Sequence, residues 1–144
     1  MTLCSLIYAS RRVSAEPSDL LESIHASAER NNALLGVTGA LVFDHRGFVQ
    51  LLEGCRANVT DMFLRIAQDP RHEDFHLLGV RDTPKRQFPQ WSMHHAAIRG
   101  SGPVSARAYM PHAEFEPSNL STDGAMALFE EVAHLARMSE HGAA

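Results

Sequence analysis

The chain has 144 residues, 44% of them apolar and 21% charged. That length fits one domain with a full hydrophobic core, independent of disulfides or a structural metal. The composition excludes a disordered chain, a coiled coil and a collagen-like repeat, and a net charge of −4 argues against a nucleic-acid binder, which carries a basic patch.

Leu3 to Ser10 predicts a strand, rich in β-formers and apolar on both faces. Pro17 to Arg30 predicts a helix: proline suits its first turn, and Leu20, Leu21, Ile24 and Ala28 follow helical spacing. Asn31-Asn32 and Gly36 end it. Val37 to Asp44 and Phe48 to Glu53 predict a hairpin closed by Asp44-His45-Arg46-Gly47, with Gly47 free to take a positive φ. A second helix runs to Gln68, capped by Asn58 or Thr60, with Val59, Met62, Phe63 and Ile66 on one face. Asp69-Pro70 stops it. Phe75 to Arg81 predicts a fourth strand, Thr83 to Gln90 a loop with two prolines, and Trp91 to Ile98 a fifth strand.

This β-α-β-β-α-β-β order gives an α+β class, a ferredoxin-like βαββαβ(β) sheet with both helices on one face. Gly100 to Pro103 reads as a linker, Val104 to Met110 as a short helix and Pro111 to Asp123 as irregular chain. Ala125 to Met138 is an amphipathic helix, capped by Ser121, Thr122 or Asp123. Its stripe of Ala125, Leu128, Phe129, Val132, Leu135 and Ala136 needs an apolar partner. The opposite sheet face offers one, because Leu3, Ile7, Val49 and Leu51 point away from Tyr8 and Gln50.

Arg11-Arg12 and Lys85-Arg86 are too short to form a basic stripe. Cys4 and Cys55 read as reduced thiols of a cytoplasmic protein. The apolar start, Leu3 to Ala9, is too short for a secretory segment, and no run is long enough to span a membrane. His72-Glu73-Asp74-Phe75-His76 spells a zinc-protease pattern that works only on a helix. Here it precedes a strand, and the adjacent His94-His95 would point to opposite faces, so no metal site is expected.

Polar groups on a core face are more informative. Tyr8 shares its side of the first strand with Leu6, and Gln50 lies between Phe48 and Leu52. A buried glutamine is costly unless its amide is hydrogen-bonded. Trp91 and Met93 share one face of the predicted last strand; if that face coincides with the Tyr8 and Gln50 face beneath the helices, the four residues converge. Either the tyrosine and glutamine satisfy each other in a core, or they line a pocket for a flat, polar-edged ligand walled by Ile24 and Ile66, with Asn31, Asn32 and Gln50 as its hydrogen-bonding groups.

Five linked segments, Leu6-Ile7-Tyr8-Ala9-Ser10, Asn31-Asn32 with Gly36-Val37-Thr38-Gly39, Phe48 to Gly54, Ile66 to His72, and Phe88 to Met93, make the chain resemble the BLUF family of blue-light sensors. The resemblance covers about residues 2–98 and divides the chain into a flavin-binding photosensor over residues 1–99 and a linker with a helical extension over 100–144. It implies a non-covalently bound FAD, with FMN or riboflavin as alternatives. It also implies a photoactive switch of Tyr8 and Gln50, with Trp91 and Met93 on the responding strand, and flavin contacts from Ile24, Asn31, Asn32, Gln50, Arg65, Ile66, Asp69 and His72. Transient electron transfer from Tyr8 would let Gln50 rotate or tautomerise. No substrate turnover is expected. The implied output is a downstream effector protein in trans, with a homo-oligomer also expected. A small flavin-dependent oxidoreductase and a ferredoxin-like interaction module without ligand are the alternatives.

Overall fold

Strand β1 (Leu3–Arg12) is buried without interruption from Cys4 to Ser10, as a central strand apolar on both faces must be. It pairs antiparallel with β3 (Gly47–Cys55) on one side and β4 (His72–Thr83) on the other. Strand β2 (Thr38–Phe43) pairs antiparallel with β3, and β5 (His94–Ala97) adds parallel to β2. The computed structural model describes residues 2–13, 35–98, 103–111 and 114–142. Among these the sheet has five strands in the order β4-β1-β3-β2-β5, the α+β, ferredoxin-like arrangement expected. The helix expected over 17–30, with Ile24, Asn31 and Asn32, lies outside the described residues.

Alternation along β1 and β3 divides the core. Leu6, Tyr8, Phe48 and Leu52 form one cluster with Val59 and Met62 of helix α1 (Arg56–Ala67). Ile7, Ala9, Val49 and Leu51 form the other with Leu128, Phe129 and Val132 of the C-terminal helix. The C-terminal helix therefore fills the second sheet face as expected, and Leu128 and Phe129 are essentially inaccessible to water.

Several boundaries differ from the sequence reading. Helix α1 begins at Arg56, with Cys55 at its cap and no side-chain capping bond. Asn58 instead donates to Leu35 O (2.8 Å) and Thr60 to Arg56 O (2.7 Å). Gly47 does not adopt a positive φ; among the described glycines only Gly36 does. The hairpin turn is closed by Asp44 Oδ1, which accepts the N–H groups of Arg46 and Gly47. Gly47 is needed for space, since a Cβ there would lie 2.4 Å from Ser10 O. Strand β4 starts at His72 rather than Phe75 and has two register shifts against β1. Asp74, beside the second shift, takes a φ of 56°, a left-handed conformation that Asp tolerates better than most residues. The zinc-protease-like segment therefore lies on a strand, and among the described residues no group of His, Cys, Asp and Glu is arranged to hold a metal. Cys4 and Cys55 are free thiols.

After β5 come a short helix, α2 (Ala106–Tyr109), a 3-10 turn (Pro117–Asn119) within the stretch expected to be irregular, and helix α3 (Thr122–Gly142). Ser121 caps α3: its Oγ accepts the Gly124 N–H at 2.9 Å. Thr122 Oγ1 donates to Leu78 O, fastening the start of α3 to the irregular part of β4.

Candidate functional site

Tyr8 of β1 and Gln50 of β3 are directly opposite in register. Both side chains project toward α1 and are almost fully buried. Tyr8 Oη donates to Gln50 Oε1. Gln50 Nε2 donates to Met93 Sδ at 3.3 Å. The two bonds fix the amide, with its oxygen toward tyrosine and its nitrogen toward methionine. Met93 is itself buried in the same cluster.

The Tyr8 ring is packed at centroid distances of 5.5 Å from Phe63 and 5.6 Å from Phe75. Burial pushes the phenol pKa up, and the nearby Asp69 carboxylate raises it further. The hydroxyl is therefore a protonated donor at neutral pH. His72 lies beside this group, its Nδ1 2.8 Å from Ser10 Oγ and its ring 4.7 Å from Phe75. Burial lowers its pKa to about 4, with Asp69 opposing the shift and Arg71 adding to it. The imidazole is neutral at pH 7.

Ile66 packs against the same cluster from α1. Arg65 is largely exposed and pairs with Asp61 at 3.2 Å, one turn earlier. The carboxylate of Asp69 binds Arg71, which donates from its backbone N–H and from Nε at 2.9 Å. That contact holds the Asp69 pKa below the usual carboxylate range.

The face expected to be shared by Trp91 and Met93 is not found. The last strand begins at His94, so residues 91–93 precede it and strand alternation does not govern them. Met93 turns toward Gln50, whereas Trp91 packs in the cluster of the opposite face, 6.1 Å from Phe88 and 5.3 Å from His94. Tyr8, Gln50 and Met93 converge; Trp91 does not.

The profile of the family described as BLUF, sensors of blue light using FAD, matches residues 3–94. The chain belongs to the BLUF family. It is 34% identical over 93 residues to the photoactivated adenylate cyclase subunit beta of Euglena longa, covering 64% of this chain and 11% of that protein. It is 37% identical over 91 residues to the blue light- and temperature-regulated antirepressor BluF of Escherichia coli (strain K12), covering 63% of this chain and 23% of that protein. The chain thus spans between about a tenth and a quarter of these relatives' length. The dark-state structure of BlrB, a BLUF protein, superimposes with a TM-score of 0.77 at 32% identity, covering 93% of this chain and 97% of that one.

Flavin is the BLUF cofactor, and the residues present fit it. Gln50 Nε2 carries two N–H bonds, and Met93 accepts one of them. The other suits a carbonyl or ring nitrogen of a flat ligand lying under α1, where Ile66 and Phe63 are only partly buried and supply an apolar wall. A separate cavity of about 450 Å³ opens at the far end of β1, beside Arg11, Arg46 and Pro117. Its cations are already engaged, Arg11 with Glu73 and Arg46 with Glu114 and Glu116.

Sequence reading missed one part of the site. Glu53, on the β3 face shared with Val49 and Leu51, is buried and binds the backbone of the segment leading to Met93. The available signal was a lone carboxylate on an otherwise apolar strand face.

Proposed function

We propose that this chain is a blue-light photoreceptor whose switch is the Tyr8–Gln50 pair and whose output is a change in protein contacts, without substrate turnover. The observation that carries this reading is the buried chain of donors from Tyr8 Oη through the Gln50 amide to Met93 Sδ. When bound, the flavin supplies blue-light absorption and an excited ring that is a strong oxidant. Ile66 and Gln50 would hold it together with Ile24, Asn31 and Asn32, and His72, Asp69 and Arg65 would serve its outer edge.

The consequence of switching follows from donor and acceptor inventories. The Tyr8 hydroxyl keeps Gln50 Oε1 in place by donating to it. With the excited flavin as the oxidant that takes up an electron and that proton from Tyr8, the amide would be free to turn. A turned amide presents its oxygen to Met93 Sδ. Thioether sulfur has no hydrogen to donate, so that contact is lost. Met93 is then released from Gln50, and Trp91, two residues earlier, is partly buried against the α3 side of the sheet. Residues 91–93 thus connect the two faces. The signal leaves through α3 to an effector protein acting in trans, from a cytoplasmic homo-oligomer. Among the described residues no helix is long and apolar enough to cross a membrane.

The test is one absorption spectrum of the purified protein before and after blue light. A yellow protein whose flavin band moves slightly to the red and returns in the dark is expected. Gln50→Leu should retain flavin and lose the shift. A colourless protein, or steady bleaching by a nicotinamide donor, would overturn the reading.

A further inference from the structure

Glu53 is the one buried carboxylate among the described residues, only 1% exposed. Burying a charge is expensive unless its oxygens are fully engaged. Glu53 Oε1 accepts the Phe88 N–H at 2.9 Å, and Oε2 accepts the Gln87 N–H at 2.5 Å. The preceding residue completes a clamp. Arg86 Nη1 donates to Thr38 Oγ1 at 2.7 Å and to Glu53 O at 3.0 Å, and Nη2 donates to Gly36 O at 2.9 Å. Downstream, Trp91 O accepts the Gly39 N–H at 3.3 Å. Residues 86–91 are thereby tied to the ends of β2 and β3. Two residues later the chain delivers Met93 Sδ to Gln50.

This placement exceeds what loop anchoring requires. Residues 91–93 form no strand ladder that would fix Met93 by itself. Met93 sits between the β5 ladder, which starts at His94 opposite Ala40, and the attachments immediately upstream, which set how the chain enters that ladder. Phe88, held through its N–H, also packs against Trp91 and Phe129, so the clamp is seated in the cluster on the α3 face of the sheet. We propose that Glu53 is a positioning residue for the light switch, acting through residues 87–93 to hold Met93 where it accepts the Gln50 amide and so setting the orientation of Gln50 in the dark. This inference rests on the reading of Gln50 as the switch.

The test is a double-mutant cycle on the flavin-loaded full chain, following return to the dark spectrum after a blue pulse. Glu53→Gln keeps the shape but replaces one acceptor with a donor aimed at a backbone N–H. The variant should keep its flavin and recover about tenfold more slowly, the equivalent of one charge-assisted hydrogen bond. In a Met93→Ala background the same substitution should change recovery less than twofold, because the group through which Glu53 acts is gone. Wild-type recovery in Glu53→Gln, or an equal factor in both backgrounds, would overturn the proposal and leave Glu53 a loop anchor. If Glu53→Gln does not fold with flavin, Arg86→Met, which removes the outer half of the clamp, is read in the same cycle by the same criteria. A wild-type chain without a reversible shift fails at the first measurement and overturns the switch reading along with this one.

Discussion

Tyr8→Phe separates the two roles of the tyrosine. The substitution removes one hydroxyl and keeps the ring, so the contacts with Phe63 and Phe75 survive. Gln50 Oε1 loses its donor in a site where the residue is 3% exposed. An acceptor stranded in this way costs about 1–3 kcal/mol. For a domain of this size that is roughly 2–4 °C of melting temperature per kcal/mol. Gln50→Leu should cost a similar amount for the mirror reason, since it strands the Tyr8 hydroxyl. The double variant removes both partners and should be no less stable than the weaker single variant, a coupling of about 1–2 kcal/mol. Denaturant unfolding of the four proteins measures this, and difference absorption on the same samples reads the switch. Both single variants should bind flavin and show no reversible red shift. Additive stability losses would refute the hydrogen bond as an energetic unit, and a full shift in Tyr8→Phe would refute the tyrosine's part in the switch.

The remaining predictions reach the other elements. The His72 pKa lies below its unfolded value of 6.5, at about 4, so between these pH values the unfolded chain binds the extra proton. Stability should be full above about pH 6.5 and fall toward pH 4 by roughly 3 kcal/mol; pH-dependent unfolding should show this slope, and His72→Asn should flatten it. Leu128→Ala, at a fully buried position of α3, should cost about 2–5 kcal/mol by denaturant unfolding; a loss below 1 kcal/mol would mean α3 is not part of the core. A Cβ at Gly79 would lie 2.8 Å from Thr122 Cγ2. Gly79→Ala should therefore displace the start of α3 and destabilise by about 1–3 kcal/mol, and Gly79→Ala combined with Thr122→Ser should recover most of that loss. Trp91 is the chain's single tryptophan. Its quenching by acrylamide should differ between dark and illuminated protein, and identical quenching would sink the route from Met93 to α3.

Where strand alternation holds, the sequence was legible. Tyr8 and Gln50 are isolated polar residues among apolar neighbours on β1 and β3, and period-two spacing placed both on one face and Val49 and Leu51 on the other. The same rule misplaced Trp91, because it was applied to residues that precede the strand. Local polar chemistry was less readable. Asn58 had the residue type of a cap but is used to hold Leu35 O. Asp69 and Arg65 had the spacing of a helical pair, yet each took another partner, Arg71 and Asp61. Such bonds depend on where the chain turns back in space, which spacing along one helix does not encode.

Glu53 shows what a longer-range reading would need. Its partners are backbone N–H groups 34 and 35 residues away, and backbone donors carry no residue identity, so no pairing of side-chain types could have revealed them. The burial cost was visible, though: a charge at an inward position on a strand whose neighbours are Leu51 and Leu52 demands partners. The polar, proline-bearing loop that follows Thr83 and runs to Gln90 has no strand ladder to occupy its N–H groups. An unexplained carboxylate in a core strand and an unpaired loop beside it imply each other. In this fold their union places the loop's end, and with it Met93, at the amide that the switch reading makes the moving part.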